Sequence, residues 1–240
     1  MAAGMTAIEL LWGQRAAPKR GPQPTLSVAR IAAVGVGIAD AEGLAAVTMH
    51  RVAEQLGVTK MALYRYVPGK VELVALMIDL GLGEPPRLER VPGGWRPKLD
   101  LWARRMFDQF RAHPWALEVT VGGRAVGPNE LGWLEQATAA LTGIGLAGSE
   151  ILDVAMTLVG HVRMVVQQVA AMGTDTPEQA AHEAMDAVLA GREDQFPALV
   201  AALANPAGKD QALDFGLRCI LDGVQLLIDQ SRPVGRVPSQ

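Results

Sequence analysis

The segment from Thr48 to Lys70 restricts what this chain can fold into more than any other part of the sequence. Apolar residues recur there at helical spacing, Gly57 interrupts the pattern, and a second, shorter helical run begins at Thr59. A threonine hydroxyl can accept a hydrogen bond from the first turn of a helix, and glycine commonly ends a helix because it adopts positive φ. The segment therefore predicts a helix-turn-helix, in which one helix braces another at a fixed angle.

The rest of the chain also has helical patterns, with no alternating strand pattern of useful length. Helices are predicted over 27–43, with Ser27 as the N-terminal cap, from Lys70 through Ile78, and over 95–112, 114–120, 129–142, 149–172, 177–204 with a break at Pro197, and 209–230. The predicted fold is all-α, with an N-terminal three-helix helix-turn-helix domain and a larger helical bundle. The predicted domains are a flexible N-terminal arm over 1–24, the helix-turn-helix domain over 25–80 and a C-terminal domain over 95–230.

Composition excludes several classes of site. Cys219 is the single cysteine, so no disulfide can form within one chain, and four scattered histidines lack the spacing of metal ligands. The longest apolar run, 151–172, contains Asp153, His161 and Arg163, which predicts a buried helix and no membrane partner. The start of the chain lacks the pattern of a secretory signal, and a cytoplasmic location is predicted.

Charge is distributed unevenly along the chain. Residues 1–70 contain eight basic and four acidic residues, so this part carries +4 and the remainder −7 of a total of −3. A basic N-terminal part on an acidic body is expected when one small domain meets phosphate.

The second helix of the predicted motif has a face suited to a DNA groove. If Leu63 faces the core, a rotation of about 100° per residue places Met61 and Arg65 roughly opposite, with Lys60 and Tyr64 beside them. An ordinary solvated helical hairpin is the alternative interpretation. Both tyrosines of the chain lie here among basic residues, which favours DNA binding.

Segment 26–80 resembles the DNA-binding domain of the tetracycline-repressor (TetR) family. The resemblance rests on Glu42-Gly43, on V-T-M-H-R-V-A-E-Q-L-G-V from Val47, and on A-L-Y-R-Y-V-P-G-K-V-E-L from Ala62. The H-P-W at 113–115, the L-G-W-L-E at 131–135 and the L-D-F-G-L-R-C-I-L-D-G-V at 213–224 resemble the C-terminal domain of tetracycline-repressor-like members.

The resemblance implies roles for particular residues. Positions that hold DNA phosphates correspond to Thr48, Tyr64, Tyr66 and Lys70. Positions that read base edges correspond to His50, Lys60 and Met61, with Thr59 and Arg65 as further candidate DNA contacts. Lysine suits the O6 and N7 of guanine, whereas a methionine makes apolar contacts such as one with a thymine methyl. His50 departs from the basic residue often found at its position.

Two helices of the predicted C-terminal domain, 149–172 and 209–230, are apolar around much of their circumference. The resemblance implies that this pair meets its copy in a second subunit, which makes a homodimer with a four-helix bundle. Burial inside one large monomeric core is the alternative. A dimer also suits the short reading helix, because a two-fold pair reads a palindrome.

The resemblance further implies a pocket for a small apolar ligand. The candidate lining residues are Trp102, Met106, Phe110, Trp133, Met156, His161, Met164 and Gln167. Methionine and tryptophan at helical spacing are more often plain core, and His161 is compatible with a ligand, core or dimer contact.

The sequence as a whole predicts a homodimeric, ligand-responsive DNA-binding regulator that binds double-stranded palindromic operator DNA, without a cofactor. A repressor released by a small apolar molecule is the favoured form. The residues do not decide between repressor and activator, and they identify neither the operator sequence, nor the ligand, nor the role of residues 1–24. A helical binding or scaffold protein that keeps the motif as a fold element is the main alternative. An enzyme is disfavoured, because Gly35-Val36-Gly37 lacks both the third glycine and the preceding strand of a dinucleotide loop.

Overall fold

The computed structural model describes residues 6–13, 26–173, 177–204 and 211–231. Regular structure in these residues is helical throughout, which confirms the all-α prediction. The helices are α1 (Ala7–Gly13), α2 (Val28–Glu42), α3 (Met49–Leu56), α4 (Lys60–Tyr64), α5 (Lys70–Leu82), α6 (Trp95–Ala112), α7 (Ala116–Val119), α8 (Pro128–Leu141), α9 (Gly148–Met172), α10 (Pro177–Leu189), α11 (Pro197–Leu203) and α12 (Ala212–Ser231). Short 3₁₀ turns lie at Leu44–Ala46, Leu88–Arg90 and Glu193–Gln195.

The predicted helix caps in the N-terminal part are confirmed. The hydroxyl of Ser27 accepts from the backbone N–H of Arg30 at 3.2 Å, and that of Thr48 accepts from Arg51 at 3.1 Å. Thr59 caps α4 in the same way. Gly57 adopts φ 67° and ψ 31°, the left-handed conformation in which a side chain would be strained. These local signals fix the lengths of α2, α3 and α4.

The chain forms two compact units, Met1–Ala140 and Leu141–Gln240. In the first unit, α5 packs along α2 and also contacts α1, α6 and α7. Because of these contacts, helices from both sides of the predicted connection at 81–94 lie in one unit. The predicted domain bounds of 25–80 and 95–230 stay a prediction.

The flexible arm predicted over 1–24 is corrected for residues 7–13, which form α1. Leu10 and Leu11 are buried there, and α1 packs against α5. The indole Nε1 of Trp12 donates to the carbonyl of Val126 at 3.1 Å. Most other residues of the predicted arm lie outside the described residues.

In the second unit, α9 and α12 pack together in opposite directions. Gly145, just before α9, lies beside Ser231 at the end of α12, whereas His161 in the middle of α9 bonds to Leu213 near the start of α12. The buried residues of the two helices are Val154, Ala155, Leu158, Val162, Val165 and Val166 on α9, and Leu217, Leu221, Val224 and Ile228 on α12.

The predicted helix over 177–204 is divided into α10 and α11. The break is longer than the single point expected at Pro197, because α10 ends at Leu189 and Gly191 adopts φ 74°. Proline then begins α11, which suits a residue without a backbone N–H.

Helix α9 is the one described helix whose length and composition would allow it to cross a membrane. A third of its most apolar stretch is buried within the protein. α9 packs against α12 and contains Asp153 and Arg163. It is therefore better described as a core helix with one exposed face than as a membrane-spanning helix.

Candidate nucleic-acid interface

The helix-turn-helix is held together by a small apolar core. α3 buries Met49, Val52 and Ala53, and α4 buries Leu63. After α4, the backbone N–H groups of Tyr66 and Val67 donate to the carbonyl of Leu63 at 2.9 and 3.0 Å. This turn buries Val67 and directs the chain into α5.

The opposite side of α4 is open to solvent. Met61 is 74% exposed, and Tyr64 is also exposed although its ring is large and partly apolar. Lys60 and Arg65 lie on the same exposed surface. A helix of five residues with basic, aromatic and apolar groups on one face offers both phosphate contacts and apolar contacts to bases. We call the exposed side of α3, α4 and the start of α5 the reading surface.

The structure leaves the other predicted DNA contacts at or near solvent. The side chains of Thr48, His50, Thr59 and Lys70 are exposed, and Tyr66 is half-buried. The hydroxyls of Thr48 and Thr59 already accept hydrogen bonds as helix caps, which fixes the first turns of α3 and α4. The assignment of these residues to phosphates or bases stays a prediction.

Two residues change the description of this surface, one by pairing its charge and the other by exposing an apolar side chain. The guanidinium of Arg51 lies 2.6 Å from a carboxylate oxygen of Glu42, so its charge is paired within the protein. Val71, beside Lys70 at the start of α5, is 76% exposed and was not among the predicted contacts. Helical periodicity gives no signal for this exposure, because Val71 shares a face of α5 with Ala75 and Ile78, which are buried.

The residues predicted to line a pocket divide into two groups. Trp102, Met106, Phe110 and Trp133, on α6 and α8, are all buried. The indole of Trp102 donates to the carbonyl of Trp133 at 2.8 Å, and the two rings meet edge to face with centroids 6.0 Å apart. The indole of Trp133 donates to the carbonyl of Gly83 at 3.1 Å. With both N–H groups bonded, the two tryptophans are a satisfied core contact in this structure.

The second group lies on α9. Met156, Met164 and Gln167 are exposed. His161 is half-buried, its Nε2 lies 3.2 Å from the carbonyl of Leu213, and its ring lies against Gly216. Because a carbonyl only accepts, Nε2 is the donor. In this structure His161 therefore makes a core contact between α9 and α12 of one chain, and the predicted ligand pocket stays a prediction.

Among the described residues, no three His, Cys, Asp or Glu side chains come together as metal ligands would. A groove of about 410 Å³ is lined by Gly37, Ile38, Ala41, Glu42, Arg51, Glu54 and Gln55. Its charged groups include the paired Arg51 and Glu42, so it does not resemble an apolar ligand site.

Comparison with known proteins agrees with this description. Residues 26–77 match the family model described as bacterial regulatory proteins, tetR family, and residues 86–228 match the tetracyclin repressor-like, C-terminal domain. The chain is 35% identical to the HTH-type transcriptional repressor DrrR1 of Streptomyces coeruleorubidus, over 94% of this chain and 87% of that protein.

Solved structures show the same fold. Apo ActR from Streptomyces coelicolor superposes with a TM-score of 0.75 at 24% identity, over 88% of this chain and 100% of that chain. ActR from the same organism in complex with actinorhodin superposes with a TM-score of 0.71 at 26% identity, over 85% of this chain and 97% of that chain.

Proposed function

The chain belongs to the TetR family of bacterial transcriptional regulators, and on that premise we propose that it represses transcription as a homodimer on a palindromic operator in the cytoplasm. A small apolar ligand would release it. The observation that supports the proposal most directly is the exposed face of α4, with Lys60, Met61 and Tyr64 beside one another.

Within that proposal, the residues of the reading surface have separate tasks. Lys60 and Met61, with His50, face the bases. Thr48, Tyr64, Tyr66 and Lys70 hold the phosphates on either side, with Thr59 and Arg65 as additional contacts. Val71 extends the surface next to Lys70 and would pack against the sugar-phosphate backbone. Phosphate contacts fix the position of the helix, whereas base contacts select the sequence.

The proposed dimer uses the outer faces of α9 and α12. Met156 on α9 and Phe215 and Leu226 on α12 are each more than half exposed. At 100° per residue, Phe215, Cys219 and Leu226 fall on one strip of α12, opposite its buried residues. An apolar strip along two antiparallel helices is the surface that a second identical pair would cover in a four-helix bundle.

Ligand release is proposed by analogy with ActR, which has been solved in complex with actinorhodin. The ligand would favour a conformation of the body in which α5 turns the two reading surfaces away from the spacing of adjacent major grooves. That spacing is about 34–36 Å, so a small rotation is enough. The ligand acts only through its difference in affinity for the two conformations.

The proposal is tested by measuring binding to DNA upstream of the protein's own gene across a range of salt concentrations. If about six to ten phosphates are contacted per dimer, affinity falls by about 10³–10⁵ between 50 and 200 mM salt. A flat salt response would contradict operator binding and favour a helical scaffold that keeps the motif for folding. Actinorhodin added to the complex tests release with a defined probe.

A further inference from the structure

Helix α8 has no side-chain cap of its own. Gly127 precedes its first residue, Pro128, and the carbonyl of Gly127 accepts the first helical hydrogen bond, from Leu131 at 3.0 Å. Gly127 therefore stands at the N-cap position. Glycine has no side chain with which to bind the backbone N–H groups of the first turn.

Asp79 of α5 supplies that cap from 50 residues away in the chain. Its Oδ1 accepts from the backbone N–H of Asn129 at 2.8 Å and of Glu130 at 3.2 Å, the second and third residues of α8. The side-chain amide of Asn129 donates to the backbone carbonyl of Asp79 at 2.9 Å. In the part of the chain that the structure describes, Asp79 is the one charged residue that is buried, at 9% exposure.

The space at Gly127 is matched to this contact. A Cβ at residue 127 would lie 2.1 Å from Oδ1 of Asp79 and 2.7 Å from its Cβ. The side chain of Asp79 therefore occupies the position where a local capping residue would stand. The first turn of α8 depends on α5 for the hydrogen bonds that most helices obtain from their own N-cap.

Other bonds join the same two helix ends. Trp133, in the second turn of α8, donates to the carbonyl of Gly83 at the end of α5. At its other side, α5 packs so closely on α2 that a Cβ at Gly35 would lie 2.7 Å from the sulfur of Met77. A continuous set of contacts therefore runs from α8 through α5 to the helices that support the reading surface.

We propose that Asp79 is the positioning residue through which α8 and the reading surface are coupled. A displacement of α8 moves the carboxylate, the carboxylate moves α5, and α5 moves α2 to α4. This inference rests on the proposed function, because it describes how a ligand signal reaches the DNA-binding helices. Coupling between sites is reciprocal, so DNA at the reading surface must also change the stability of the first turn of α8. That reciprocity allows a test without the ligand.

The test is amide hydrogen exchange of the full chain, with and without DNA from upstream of its own gene. We expect DNA to change the amide exchange rates of residues 129–134 in the native protein by about fivefold or more, the lower end of typical couplings. The informative variant is a double substitution, Asp79→Gly together with Gly127→Asp, which swaps the two residue types. It returns a carboxylate cap to α8 from its own N-cap position and removes the link to α5.

In the double variant we expect α8 to remain protected without DNA and the DNA-induced change to disappear. Asp79→Ala removes the oxygen that accepts from the N–H groups of Asn129 and Glu130 and is expected to lose most of the change. If the double variant does not fold, this single variant decides whether Asp79 carries the coupling. Asp100→Asn, which removes a half-exposed carboxylate paired with Arg104 within α6, is the matched control and keeps the full response.

A double variant that responds to DNA as strongly as the native protein would show that Asp79 acts only as a cap and would overturn the inference. A native protein that binds the DNA without any change in amide exchange at 129–134 would overturn the inference and leave the proposed function standing. Absence of DNA binding by the native protein would remove the proposed function itself, and the inference with it.

Discussion

The reading surface and the outer faces of α9 and α12 both expose large apolar side chains, but in different electrostatic surroundings. On the reading surface, Met61, Tyr64 and Val71 lie among Lys60, Arg65 and Lys70. On the strip of α12, Phe215, Cys219 and Leu226 share their face with one acid, Asp222, and with Arg218, whose guanidinium lies 5.6 Å from the centroid of the Phe215 ring. The first combination suits a polyanion with apolar base edges, whereas the second suits another apolar protein surface. Exposure alone identifies neither partner; the neighbouring charges do.

The largest effect is expected from a charge on the outer face of α12. Leu226→Glu would place carboxylates in the proposed dimer interface, where unpaired buried charges cost about 3–5 kcal/mol. We expect a monomer by light scattering and at least about a hundredfold loss of operator affinity. Leu199→Glu, at an exposed apolar position of α11, is the control and stays dimeric. If Leu226→Glu remained dimeric, the outer face of α12 would not be the dimer interface, and the contrast between the two surfaces would fail.

Binding of the native protein to lipid vesicles would point to a membrane partner for α9.

The next largest effect is expected from removing the side chain of Lys60, which is proposed to read a base. Lys60→Ala is expected to relax the preference at one base pair of each half-site by about 1–3 kcal/mol, because the lysine can no longer bond guanine. Binding to a library of operator variants measures this preference. Arg105→Ala, at an exposed cation of α6, serves as the control and leaves the profile unchanged. A uniform loss across all sequences would place Lys60 on a phosphate instead.

Removing the cap of α4 is expected to have a moderate effect on stability. Thr59→Ala removes the bond to the N–H of Ala62 and should lower the free energy of unfolding by about 1 kcal/mol. Thr59→Ser keeps the hydroxyl and should restore the native value. Thermal unfolding of the two variants provides the comparison. Equal melting temperatures would show that α4 does not depend on this cap.

The smallest effects distinguish two cations on the same side of the molecule. Lys70→Ala is expected to weaken binding to all sequences alike and to reduce the salt slope by about 1. Arg51→Ala is expected to change the slope less, because the charge of Arg51 is already paired with Glu42. Titrations of both variants at several salt concentrations test this order. A larger change for Arg51 would mean that DNA breaks the ion pair.

Sequence reasoning succeeded where the determinants are local. The caps at Ser27, Thr48 and Thr59 and the turn at Gly57 depend on residues three or four positions apart, and the structure confirms them. The burial of Leu63 and the exposure of Met61 follow from the same short-range periodicity. These features are also the ones that fix the reading surface.

The failures have a different origin. Helix α1 gains its stability from burying Leu10 and Leu11 against α5, so the seven-residue segment alone gives a weak signal. The bond between Asp79 and α8 joins residues 50 positions apart, and no local pattern marks it. For Trp102 and Trp133, helical spacing indicates burial but cannot separate a packed core from a ligand cavity; both indole N–H groups bond to backbone carbonyls, and the ligand pocket stays a prediction.

The contact between His161 and Gly216 restricts how this family member can change over evolutionary time. A Cβ at residue 216 would lie 2.1 Å from the imidazole of His161, so a side chain at residue 216 requires the imidazole to move. Relatives in which residue 216 bears a side chain are expected to have a smaller residue at 161, or a wider separation between α9 and α12. Residues 161 and 216 should therefore covary among relatives. A substitution at one of them that is tolerated in one lineage should disrupt the packing of α9 on α12 when it is introduced alone into another.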